Sequence, residues 1–198
     1  MELEAISGFA IVEALRTFQI KSIGDMLAKL DWEIEQLQAS QFSQGAQSVN
    51  FSSYFAINAA LTAFHVCDWI WHTGTQQQRI SWLQFAPAIS TTKGKTRFQV
   101  GLKNQCPEFG VCREIANSFK HLTDNQFTDK AILTDVPLFE FSVPASVGSL
   151  RAGDPLVQYA KVLMVRSRDG ITPVAHVLSK TYDFLEDFCE KNGFLGGS

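Results

Sequence analysis

Residues 51–72 read FSSYFAINAALTAFHVCDWIWH, from Phe51 to His72, and this stretch decides the fold. It contains neither Pro nor Gly, and its apolar side chains fall almost all round a helical wheel. A helix of that kind is buried at the centre of a bundle, so other helices are expected to pack around it. At about 100° per residue, Tyr54, Asn58, Leu61, His65, Asp68, Trp69 and His72 share one stripe. Ala56, Ala59, Ala63, Val66 and Ile70 line the opposite side. Asn50 stands just before the stretch and is read as its N-cap.

Working outward, residues 9–39 carry apolar side chains at helical intervals, most clearly Ile23, Met26, Leu27, Leu30, Ile34 and Leu37. Asp25, Lys29, Glu33 and Glu35 fall outside that stripe, which predicts an amphipathic helix. Downstream, TGTQQQRISWLQFAPAISTTKGK is punctuated by Gly74, Pro87 and Gly94 and reads as connection with a short helix near 80–85. Its TTKGKTRF segment, with three basic residues near one Gly, reads as an exposed loop. A further helix is expected from Pro107 to His121, with Pro107 in a first turn where a missing N–H costs nothing.

The pattern changes after Asp129. AILTDVPLFEFSV and LVQYAKVLMVRS are rich in β-forming residues, and Asp169-Gly170 follows the second as a turn signal. From Pro173 to Asn192 the spacing is helical again, and Gly193 stands where a left-handed C-cap belongs. The expected fold is α+β, mainly α, in a single domain over residues 1–198. It comprises a helical core at about 9–122, a small antiparallel β segment at about 131–168 and a closing helix at about 173–192.

Seventeen basic against twenty acidic residues give a net charge of −3, so no overall positive field draws the chain to nucleic acid or anionic membrane. Cys67, Cys106, Cys112 and Cys189 lack C-x-x-C spacing and are read as free buried thiols. The Met-Glu-Leu-Glu start has neither a basic segment nor the apolar run of a signal peptide, and no apolar run reaches the length of a membrane span. The expectation is a soluble cytoplasmic protein with no membrane partner and no cofactor.

Two constellations carry chemistry. His65, Asp68 and His72 stack over two turns of one helix face, so they can form a ligand-binding wall with Asn58 and Trp69, or a metal set for a hydrolase that His121 or His176 could join only through the fold. An Asp three residues from a His is equally what a structural hydrogen-bonded pair looks like. On the later helix, Arg113, Asn117, Lys120, His121 and Asp124 fall within about 100° of arc, opposite Val111, Ile115, Phe119 and Leu122. Such a face is either solvated or a phosphate-holding acid-base edge. P-loop, Rossmann, nucleophile-elbow and zincin motifs are absent.

HVCDW on the central helix and CREIANSFKH on the later one, followed by a strand, a D-G turn and an aromatic-rich final helix, resemble uncharacterised bacterial and mobile-element proteins with a HEPN-like helical core. The resemblance covers about Asn50 to Phe194. It implies an antiparallel helical core, a homodimer and, in the nuclease branch, an R-x(4 to 6)-H motif that cleaves RNA without metal. Carried over, His121 is the catalytic His, Arg113 the Arg and Asn117 the polar residue within the motif; apart from the resemblance, Lys120 is the alternative to Arg113 for stabilising a phosphorane-like transition state. Here seven residues separate Arg113 from His121, about 12 Å along a helix axis, longer than the family spacing. The functional expectation is therefore a binding protein for a nucleotide, RNA or small anion in a polar pocket between helices. The alternatives are a metal-independent RNase of a toxin-antitoxin or defence system and a metal-dependent hydrolase.

Overall fold

The computed structural model describes residues 18–42, 48–86, 94–120, 139–144, 157–168 and 170–195. Its helices are α1 (Ile23–Gln41), α2 (Ser48–Thr73), α3 (Gln76–Trp82), α4 (Gly94–Gln105), α5 (Pro107–Lys120) and α6 (Val174–Lys191), with a 3₁₀ turn at Leu83–Phe85. The strands are β1 (Phe139–Pro144), β2 (Val157–Val162), β3 (Met164–Ser167) and β4 (Gly170–Pro173). They form two antiparallel pairs, β1 with β2 and β3 with β4. The mainly helical α+β class expected from the sequence is the one found.

α1 begins at Ile23 because Ser22 and Asp25 close a capping box: the Ser22 hydroxyl accepts from the Asp25 N–H at 3.0 Å, and Asp25 Oδ2 accepts from the Ser22 N–H at 2.9 Å. Residues 18–22 are non-helical, and 9–17 lie outside the described residues. All six residues of the expected apolar stripe are buried. Glu33, placed by the periodicity outside that stripe, is buried as well. It is held by Lys29 one turn away and by the Thr62 hydroxyl of α2, which donates to Oε2 at 2.6 Å.

α2 is central, packing against α1, α4, α5 and α6. Ala56, Ala59, Ala63, Val66 and Ile70 are buried as expected, yet Tyr54, Asn58, His65 and His72 are exposed. The helix is therefore not buried all round but keeps one wet strip. It starts at Ser48, which puts Asn50 inside the helix and not at its cap.

The segment read as connection departs most. α3 starts where Thr75 and Gln78 form a second capping box, and α4 follows over residues read as an exposed loop. α4 buries Phe98, Gln99, Gly101 and Leu102. It is held in place by aromatic packing, Trp82 stacking on Phe98 with centroids 5.1 Å apart and Phe188 of α6 closing the cluster. Too few apolar residues mark α4 for periodicity alone to reveal it, and tertiary packing supplies the rest. The run LVQYAKVLMVRS likewise splits at Leu163 into β2 and β3, and β4 takes residues assigned in part to the closing helix. α6 begins at Val174, its N–H donating to the Leu163 carbonyl at 2.9 Å.

Candidate functional site

The residues singled out on α2 point to different neighbours. Asp68 faces α4, where Lys95 Nζ donates to Oδ2 at 3.0 Å and Gln99 Nε2 to Oδ1 at 3.1 Å. Lys95 and Gln99 are one helical turn apart, so one carboxylate bridges both and ties α4 to α2. His65 and Trp69 instead line a cavity of about 280 Å³ with Phe18, Ile20, Met26, Lys29 and Thr62. His72 is exposed at the end of the helix. Its backbone carbonyl accepts from Arg79 Nη2 at 2.7 Å, while that guanidinium also covers the Trp71 ring at 5.6 Å. Asn58 is exposed. Among the described residues no group of three or more His, Cys, Asp or Glu side chains is arranged to hold a metal ion. His65, Asp68 and His72 are not gathered into one.

On α5 the two described residues of the arc, Arg113 and Asn117, are drier than the spacing implies. The Arg113 side chain is 15% exposed and its Nη1 donates at 3.3 Å to Oε1 of Glu114, whose side chain is only 2% exposed. Phe119, expected on the apolar side, is 63% exposed. Asn117 is half-buried. α5 runs antiparallel to α2: Arg113 is near enough to Cys67 to act on its thiol, while Ile115, Ser118 and Phe119 share an apolar cavity of about 280 Å³ with Ser53, Ala56 and Ile57. Asp68 therefore stands level with Arg113, and Asn117 lies further along, toward the start of α2. His121 and the Lys120 side chain lie outside the described residues.

Charged groups gather instead where α4, α5, the β3–β4 hairpin and α6 meet. A cleft of about 330 Å³ is lined there by Lys103 and Asn104 of α4, Glu108 and Gly110 of α5, Ser167 and Arg168 after β3, Thr172 of β4 and His176 of α6. The local reasons are legible. Gly110 lets the Lys103 stem lie across the α5 backbone, since a Cβ at that position would stand 2.8 Å from Lys103 Cγ. Arg168 sits at the hairpin turn completed by Gly170, whose φ of 128° suits glycine. His176 falls in the first turn of α6, which starts without a side-chain cap or an acidic residue. The positive end of that helix dipole thus borders the cleft.

At the other side of the cleft, Glu108 sits in the first turn of α5, where a carboxylate is favoured by the helix dipole. Its Oε2 accepts from the Cys106 thiol at 3.6 Å. Burial pushes that thiol up to about 11, so it stays a neutral donor at neutral pH. Lys103, Glu108 and Arg168 were not among the residues picked from sequence, and His176 entered only as a residue the fold might bring in. The one available signal was Arg168 beside the D-G turn; Lys103 was hidden because α4 itself was.

Comparison of the chain with family models, curated proteins and solved structures gives no match. The site is therefore read from its own chemistry.

Proposed function

We propose that this chain is a binding protein for a small anionic ligand, seated in the cleft between α4, α5, the β3–β4 hairpin and α6. The observation that carries the reading is the convergence of Lys103, Arg168 and His176, from three separate elements, on one concave volume. Arg offers a planar fork of donors to phosphate or carboxylate, and Lys a compact charge. Ser167 and Thr172 add hydroxyls beside them. The volume corresponds to roughly eleven waters at about 30 Å³ each, which suits a small metabolite better than a polymer.

A HEPN-like scaffold remains part of the proposal, and the antiparallel packing of α2 on α5 is what supports it. Metal-independent RNA cleavage, with His121 as acid-base and Arg113 or Lys120 stabilising the transition state, is the weaker alternative, because the Arg113 guanidinium is engaged by Glu114 and largely covered.

The test is thermal unfolding with inorganic phosphate, AMP and short carboxylates. A ligand at about a hundred times its Kd stabilises by about 2.7 kcal/mol, which raises Tm by roughly 5–10 °C for a chain of this size. Arg168→Ala is expected to remove the shift. A flat Tm across all the anions in the native protein sinks the reading.

A further inference from the structure

The cleft carries both signs of charge, since Glu108 lines it together with Lys103, Arg168 and His176. Resting on the anion reading above, we infer that the ligand is a small zwitterion: its phosphate or carboxylate meets Lys103, Arg168 and His176, and an ammonium group a few bonds away meets Glu108. A ligand bearing negative charge alone and filling the cleft sets that charge against the Glu108 carboxylate, and like charges repel more strongly in a partly enclosed site than in water. The neutral Cys106 thiol gives Glu108 a weak hydrogen bond and no compensating charge. An ammonium group on the ligand supplies that charge and turns the repulsion into a charge-assisted hydrogen bond.

Size points the same way. A volume of about 330 Å³ holds on the order of a dozen non-hydrogen atoms, judged from the ~30 Å³ of a water molecule. An aminoalkyl phosphate or an amino acid fits within it, whereas a nucleotide would protrude. The shared chemistry is an ammonium group and an oxyanion on one short chain; whether the oxyanion is phosphate or carboxylate is decided by experiment.

Isothermal titration calorimetry at pH 7 with two isosteric pairs tests this. One pair is 2-aminoethyl phosphate and propyl phosphate, the other 4-aminobutanoate and pentanoate. Within each pair only an ammonium replaces a methyl group. In at least one pair the zwitterion is expected to bind about tenfold more tightly than its isostere, the worth of one charge-assisted hydrogen bond. Glu108→Gln should bring that ratio close to one while sparing the anionic isostere, and Arg168→Ala should weaken both members about tenfold or more. A ratio near one in the native protein, or one unchanged in Glu108→Gln, with the anions still binding, overturns the zwitterion and leaves the anion reading standing. Absence of binding by all four compounds removes both.

Discussion

Asp68 on α2 and Arg168 at the β3–β4 turn are both charged side chains set between elements, yet their surroundings differ. Asp68 bridges Lys95 and Gln99 of a single neighbouring helix. Glu33 likewise bridges Lys29 and Thr62 across α1 and α2, and Arg113 turns to Glu114. In each case the partners are protein groups within hydrogen-bond reach, which is how buried polar groups are ordinarily satisfied. Arg168 is set apart by the open volume it lines together with Lys103 and His176, contributed by three elements, and not by any lack of protein partners. Asp68, one member of the polar stripe on α2, has become interhelical structure while Tyr54, Asn58, His65 and His72 stay exposed, and the volume suited to a ligand is assembled from residues scattered over some seventy positions of sequence.

That contrast makes opposite demands on stability and binding. The largest stability effect is expected at Glu33→Ala, about 3 kcal/mol in urea unfolding. This is the low end for breaking a buried pair, because Lys29 is 37% exposed and can turn to water. Anion affinity should stay unchanged in this variant. Arg168→Ala should invert the pattern: stability within about 0.5 kcal/mol of the native protein, and anion affinity reduced by about tenfold or more. If Glu33→Ala abolishes binding in protein that is still folded, the separation of the two regions is wrong.

Asp68→Asn is expected to cost about 1 kcal/mol, since its pairing with Lys95 is partly exposed and screened, again with binding intact. Gly110→Ala is the finest discriminator. It improves helix propensity by up to ~1 kcal/mol but sets a methyl group against the Lys103 stem. Unfolding should show little or no loss, while titration shows a several-fold weaker anion.

The thiols add a pH dependence on the core side. Burial pushes Cys106 up to about 11 and Cys112 and Cys189 up to about 12, from 9.0 for an exposed thiol. An unfolded chain releases those protons from about pH 9 whereas the folded chain retains them. Their contribution to stability is therefore complete below that pH and is lost as pH rises through the folded values. The urea midpoint should hold from pH 7 to 9 and fall between 9 and 11.

Much of the fold was legible because long periodic segments announce themselves. The α1 stripe, the Ala-lined face of α2, Pro107 opening α5 and the apolar spacing of α6 all read correctly. α4 did not, because its helicity depends on Phe98 meeting Trp82 and Phe188 from distant segments. That loss hid Lys103 and with it the cleft. Helix-wheel reasoning could place Asp68 beside His65, but only the neighbouring helices decide that Asp68 turns to α4 while His65 faces the cavity beside α1.

The most direct test of the central claim follows backbone amide shifts in ¹⁵N-labelled protein during titration with 2-aminoethyl phosphate. Saturable shifts are expected at Lys103, Glu108, Gly110, Arg168 and His176, with Asp68, Lys95 and Gln99 unmoved. Saturable shifts centred on Asp68 and Lys95, or none anywhere, would contradict the assignment of the cleft as the binding site.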